Sequence, residues 1–300
     1  MAAAAEVRPE PAHTDGHNIS PVWREVRRGV PGVTTVKGVE SNVLIQTQGD
    51  VWRHLHNNWV VVYGGVLIIL VLVAISVFHL AKGTMRLSAP PTGHKIQRFS
   101  LFERAIHGIV ATCFVLLAIG GLLLMFGKHV LMPVFGHTAI SVAMQILKPI
   151  HNFLGLVFAA ALVVMILMWA KDNLWDKVDA EWIRRAGGLI DRTHVPAWRF
   201  NFGEKTWFWI GVTFLGLVVV VSGVLLDFPM ILAARGPLTV ADLVHGIGAM
   251  LMILLSFGHI YMGTIGLEGT SQSMTTGKVD EVWAKDHNLL WYRQVTGKTD

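Results

Sequence analysis

Cysteine is nearly missing from this chain: Cys113 is the single one in 300 residues. No disulfide can close within the chain, and no Cys-x-x-Cys pair exists for zinc, an iron–sulfur cluster or thiol redox chemistry. Charge is scarce as well. Asp, Glu, Lys and Arg make up 15% of the residues, against roughly a quarter in a typical soluble domain. What fills the space is apolar: 53% of the side chains, with a mean hydropathy of +0.52. That composition excludes an average globular protein, a disordered chain and a fibrous repeat, and it describes a multi-span membrane protein. The net charge of +5 and pI near 9.5 would suggest nucleic acid in a soluble protein. In a membrane protein they reflect basic cytoplasmic loops, so no nucleic acid is expected and membrane lipid is.

A helix needs about 20 apolar residues to cross roughly 30 Å of hydrocarbon. Five stretches qualify: Trp59–Leu80, Ala105–Gly127, Pro149–Ala170, Thr206–Leu226 and Leu243–Leu267, the last with no Asp, Glu, Lys or Arg in 25 residues. Pro149 reads as the first turn of its helix, where a missing N–H costs nothing. Trp59, Trp169, Trp207 and Trp209 fall at span ends, as interfacial anchors do. Between spans, residues 81–104 carry five Lys and Arg, 171–205 seven and 268–300 four, against two in 128–148 and one in 227–242. The positive-inside rule then places 81–104, 171–205 and the C-terminus in the cytoplasm and the N-terminus outside. The expected order is a polar extracytoplasmic segment 1–58, an additional helix 59–80, a cytoplasmic loop 81–104, a four-helix domain 105–267 and a cytoplasmic tail 268–300. Met1–Ala5 is not followed by a signal-peptide core, so either the first span translocates the leading segment or a cleaved signal precedes this numbering. Val43-Leu44-Ile45-Gln46 alternates like a short strand.

Ionisable side chains within spans default to function. Five of the 14 histidines lie in or beside the apolar stretches: His79, His107, His151, His245 and His259. His245 and His259 are 14 residues apart, just under four turns, so they share a face and stand about 21 Å apart along the axis. The alternating direction of the spans sorts four histidines by depth. His151 pairs with His245 near the outside, and His107 pairs with His259 near the cytoplasm. Two bis-imidazole sites stacked across a bilayer suit two b-type haems, held non-covalently because no Cys-x-x-Cys-His is present. Gly108, Gly155, Gly246 and Gly248 beside these histidines, and Gly121 at the depth of the outer pair, would make room for a macrocycle. Taken singly, a membrane histidine is more often an interhelical hydrogen-bond partner or a proton-relay group; packing alone gives no reason for depth-matched pairs. His79 has no such partner and reads as an interfacial residue.

The segments Phe102–Gly108 (FERAIHG), Ile146–Gly155 (ILKPIHNFLG), Leu243–Ala249 (LVHGIGA), Gly258–Gly263 (GHIYMG) and Gly277–Arg293 (GKVDEVWAKDHNLLWYR) have a familiar look together. From about Arg98 onward the chain resembles the gamma subunit, a cytochrome b, of membrane-bound respiratory formate dehydrogenase. The resemblance implies an all-α membrane protein: a four-helix transmembrane di-haem cytochrome b bundle, here with one additional N-terminal transmembrane helix. Longer members carry such an extension, similar to Gly49–Trp59 here, and docking of extracytoplasmic partners is the role expected for it. The resemblance further implies that His107, His151, His245 and His259 ligate two haem b groups in a bacterial inner membrane. Electrons would come from a molybdenum or tungsten formate dehydrogenase catalytic subunit and an iron–sulfur subunit, and leave to a quinone (ubiquinone or menaquinone) near the cytoplasmic face. The family's Asn-Ala-Gly-Gln segment at the quinone pocket reads Asn201-Phe202-Gly203-Glu204 here. Asn201 could bond a quinone carbonyl. Glu204, which departs from Gln, could deliver protons; the plainer expectation is a surface carboxylate paired with Lys205.

Three other functions compete. Similar di-haem cytochromes serve nickel–iron hydrogenases and thiosulfate or polysulfide reductases. A histidine-based proton or ion transporter would want intramembrane Asp, Glu, Lys or Arg and an inverted repeat, and neither is evident. A passive anchor leaves the paired histidines unexplained.

Overall fold

The computed structural model describes residues 20–28, 47–190, 193–232 and 235–298. Five helices are long and apolar enough to cross a membrane: α1 (Gly49–Lys82), α2 (Leu101–Val130), α3 (Met132–Trp169), α4 (Phe202–Asp227) and α5 (Gly236–Gly266). Local chemistry sets where they start. Ser100 accepts a hydrogen bond from the Glu103 backbone N–H while the Glu103 carboxylate reaches back to the Ser100 N–H, a capping box that opens α2. Asn201 and Glu204 form the same reciprocal pair at the start of α4. Stretches of π-helix interrupt α1 at Leu55–Val60, α4 at Trp207–Leu215 and α5 at Met262–Gly266.

Helices α2–α5 form the bundle. Its main core joins Val110 and Cys113 of α2, Phe158, Leu162, Met165 and Trp169 of α3, Phe208, Val212 and Leu215 of α4, and Met252 of α5. Helix α1 lies against the outside. Gly64 lets it approach α5 so closely that a Cβ there would sit 2.8 Å from Met250 Cε. At its other end Trp52 Nε1 donates to Asp242 of α5 at 2.7 Å. The outward faces are apolar, with Ile69 63%, Phe153 69% and Leu167 76% exposed. Apolar surface on that scale belongs against lipid or a partner, not water.

Two expectations need correction. Pro149 does not begin its helix: α3 runs from Met132, with a non-helical break at Gly136 (φ 79°, ψ 165°), and carries Pro149 inside it. Proline is tolerated within membrane helices because neighbouring groups re-satisfy the freed carbonyl. The stretch 128–148 is therefore helix rather than a long loop. Nor are 81–104 and 268–300 a plain loop and tail. They fold together through an antiparallel pair, β1 (Lys95–Gln97) and β2 (Lys278–Asp280), with Ile96 opposite Val279. Two short helices, α6 (Glu281–His287) and α7 (Leu289–Thr296), follow. Ile96, Val279, Trp283, Ala284, Trp291 and Tyr292 give this unit its own core. The backbone N–H groups of Arg98 and Phe99 donate to Gly277 O at 2.9 and 3.1 Å, which seats the unit on the start of α2. Gly277 has φ +81°, and a Cβ there would lie 2.5 Å from Phe99 O; only glycine fits. The alternating Val43–Gln46 stretch lies outside the described residues.

Candidate functional site

The bundle brings the four histidines together in the two pairs expected. The rings of His107 (α2) and His259 (α5) have centroids 6.3 Å apart at an interplanar angle of 58°. Those of His151 (α3) and His245 (α5) are 6.2 Å apart at 75°. Two imidazoles bound through nitrogen to opposite sides of one metal, with bonds near 2.0 Å, place their centroids about 6.3 Å apart. Both pairs have that separation. Among the described residues no group of three or more His, Cys, Asp and Glu converges as a bare metal ion would need. The donor set comes in twos, which fits a macrocycle that supplies its own four equatorial nitrogens.

The His151/His245 pair is held from outside. His245 Nδ1 lies 3.0 Å from the Val219 carbonyl and 3.3 Å from Ser222 Oγ. A proton on Nδ1 satisfies the carbonyl and leaves Nε2 free to ligate a metal. His151 Nδ1 is buried with no hydrogen-bond partner among the described residues. Glycines frame both rings. A Cβ at Gly223 would sit 3.1 Å from His245 Cε1, and one at Gly120 or Gly121 would sit 3.5 Å from His151. Gly121 is therefore placed as expected, whereas Gly120 and Gly223 were missed. At Gly108 and Gly155 a Cβ would meet nothing within 4 Å, and Gly246 and Gly248 face Met125, Val218 and Val219 instead of a histidine.

At the other end, Trp207 stacks on His259 (5.0 Å, 16°), and Trp169 lies 6.2 Å from His107. Trp169 Nε1 donates to Glu103 at 3.0 Å. Arg199 bonds Glu103 at 2.5 Å and Asp172 at 2.6 Å. This ionic belt ties α2, α3 and the segment before α4 around the His107/His259 pair. His79 stands apart, its Nδ1 3.2 Å from the Tyr261 hydroxyl.

The Asn201–Glu204 segment sits at this same end, but its partners differ from expectation. Glu204 does not pair with Lys205. Its carboxylate receives Arg98 Nη2 at 2.9 and 3.1 Å and closes the cap of α4. Lys205 points the other way, 2.8 Å from Asp179, both nearly fully buried. Neighbours on a helix diverge by about 100°, which sends 204 and 205 to different partners. Asn201 Oδ1 is committed to the Glu204 N–H at 3.0 Å, leaving Nδ2 as its outward donor. Gly203 is required by packing, since a Cβ would sit 2.9 Å from the Trp182 ring.

Comparison with known proteins adds independent findings. Residues 98–277 match the family described as prokaryotic cytochrome b561. The chain is 32% identical over 209 residues to the formate dehydrogenase cytochrome b556(fdo) subunit of Escherichia coli strain K12, covering 68% of this chain and 95% of that one. It is 28% identical to the nitrate-inducible formate dehydrogenase cytochrome b556(Fdn) subunit of the same strain, over 67% of this chain and 91% of the relative. With the formate dehydrogenase cytochrome b556 subunit of Haemophilus influenzae the identity is 26%, over 67% and 83%. The family match begins after α1.

Proposed function

This chain belongs to the prokaryotic cytochrome b561 family, as a multi-pass bacterial membrane protein of all-α fold, and from that premise we propose that it is the cytochrome b subunit of a formate dehydrogenase. In this reading it anchors a molybdenum or tungsten catalytic subunit and an iron–sulfur subunit to the membrane and conducts their electrons to a quinone. The observation that carries the reading is the two imidazole pairs at metal-spanning separation. The relatives named above supply the formate half of it.

His151 and His245 would hold one haem b, and His107 and His259 the other. Held by two histidines apiece, such haems would supply one-electron transfer rather than oxygen activation. The chain's own residues do the rest. Val219 O fixes the tautomer and direction of His245. Trp207 stacked on His259 fixes that ring and excludes water from it. The Glu103–Arg199–Asp172 belt locks the helices that carry His107. Asn201 Nδ2, at the same end, would donate to a quinone carbonyl. By the positive-inside rule the basic loops would put this end in the cytoplasm, so quinol protons would be drawn from there and the partners would sit on the other side.

The test is to purify the chain with whatever it assembles with and supply candidate donors anaerobically. Formate should reduce the b-type spectrum and a quinone analogue should reoxidise it. Reduction by hydrogen or polysulfide chemistry, with formate inert, would replace formate dehydrogenase by another member of the di-haem class.

A further inference from the structure

Buried polar atoms without a protein partner gather at the seam between the β1–β2–α6–α7 unit and the end of the bundle. Arg98 Nε, His194 Nδ1, His287 Nε2 and Asn288 Oδ1 are all buried with no hydrogen-bond partner among the described residues. They are neighbours. The His194 and His287 rings are 5.6 Å apart, His287 and Trp283 are 5.1 Å apart, and the Arg98 guanidinium lies 4.9 Å over Trp283. Asn288 Nδ2 donates to the carbonyls of Trp198 and Arg199, and Arg98 Nη2 donates to the same Arg199 carbonyl at 2.7 Å. Buried polar groups in native proteins are almost always paired, with ordered water where protein fails to supply the partner. Four orphans in one seam are an arrangement that bound water would satisfy.

The seam also has two open ends and carriers between them. His194 is 27% exposed at one end, with Asp286 3.8 Å from its Nε2; Asp286 is itself pinned by Ser88 N and Oγ at 2.8 and 2.7 Å. Glu204 is 32% exposed at the other, while the Arg98 side chain between them is only 1% exposed. Glu204 stands one helical turn before Trp207, the residue stacked on His259. We propose that this seam is a hydrated proton inlet, running from Asp286 and His194 past His287 to Glu204, that supplies quinone reduction at the His107/His259 end.

The proposal rests on the functional reading above. Reducing a quinone to quinol takes two electrons and two protons, and an O–H bond forms at each carbonyl oxygen. The electrons would come from the formate-oxidising partner by way of a haem that His107 and His259 would hold, and the protons from bulk water through the seam. A neutral imidazole suits the work, because it accepts a proton at one nitrogen and releases one from the other. Burial, with His194 close by, pushes His287 down to about 4, so it rests neutral and passes protons on without trapping them.

X-ray hydroxyl-radical footprinting of the intact complex in oxygen-18 water tests the seam without any turnover. Trp283 and His287 should be modified despite their burial, with label that exchanges with bulk; unmodified side chains there would mean a dry seam and overturn the inlet. His287→Leu and the gentler His287→Gln then test its use. With formate as donor, haem reduction should keep its rate while quinol formation falls about tenfold or more. Unchanged quinol formation in both variants overturns the proposal. If formate fails to reduce haem in the unaltered complex, the functional reading falls instead, while the footprint still decides whether the seam holds water.

Discussion

Gly223→Ala is a small change with a directed consequence. The added methyl carbon would sit 3.1 Å from His245 Cε1 and 3.4 Å from Nδ1. Ordinary carbon contacts lie at about 3.5–4.0 Å, so the imidazole must retreat by about half an ångström. Its Nδ1 is now 3.0 Å from the Val219 carbonyl, and a retreat of that size carries the bond to the edge of hydrogen-bonding range. Loss of such an orienting partner typically weakens metal affinity 10- to 100-fold, or about 1.4–2.7 kcal/mol. The helix itself responds in the opposite direction, since Ala is better than Gly in a helix interior by about 0.8–1.0 kcal/mol. The variant should therefore fold at least as well while the His151/His245 site suffers. Haem quantification and a redox titration of the purified protein read the result. We expect partial loss of one haem, or a displaced midpoint potential for one of two components, with the His107/His259 component unmoved. Two haems with unaltered potentials, or both lost together, would refute the reasoning.

Two further outcomes follow from groups away from the histidines. Lys205→Met leaves the Asp179 carboxylate buried and unpaired, a change that typically costs about 3–5 kcal/mol, and thermal denaturation should show it. The double variant Lys205→Met with Asp179→Leu should recover most of the loss, and no recovery would count against the pair. The C-terminal unit should be acid-labile. The Tyr292 hydroxyl and Lys298 hold the Glu281 carboxyl down to about 2, so its stabilisation is complete above its ordinary 4.5 and fades as pH falls towards 2. His287, pushed down to about 4, adds in the same direction, because below its ordinary 6.5 the unfolded unit takes up the proton first. Hydrogen exchange across residues 278–296 should accelerate as pH is lowered from 7 to 4, after correction for intrinsic rates; a flat profile would contradict this.

The spans and the histidine pairs were readable from sequence because both depend on axial distance alone. Fourteen residues separate His245 from His259, and the alternating direction of the helices supplies the partners. What sequence reasoning missed depends on contacts between helices. Gly120 and Gly223 are far in sequence from the rings they admit, His151 and His245, and no periodicity points to them. Glu204 lies beside Lys205 in sequence but meets Arg98, 106 residues away. Gly108, Gly155, Gly246 and Gly248, next in sequence to the four histidines or close to them, do not touch the histidine rings, since adjacency along a helix rotates a residue away from its neighbour's face. Pro149 was misread because a start signal in water is tolerated inside a membrane helix. Strands of three residues, β1 and β2, are too short to alternate visibly, so the unit built on them read as a loop and a tail.

The central claim is that the two imidazole pairs each clasp an iron porphyrin. The direct measurement is the haem content and reduced-minus-oxidised spectrum of the purified complex, made beside variants His245→Ala and His107→Ala. The account predicts two b-type haems per chain with low-spin bis-histidine bands. It also predicts that each variant keeps one haem, and that the survivors differ in potential. A colourless preparation, or variants that retain both haems, would contradict it.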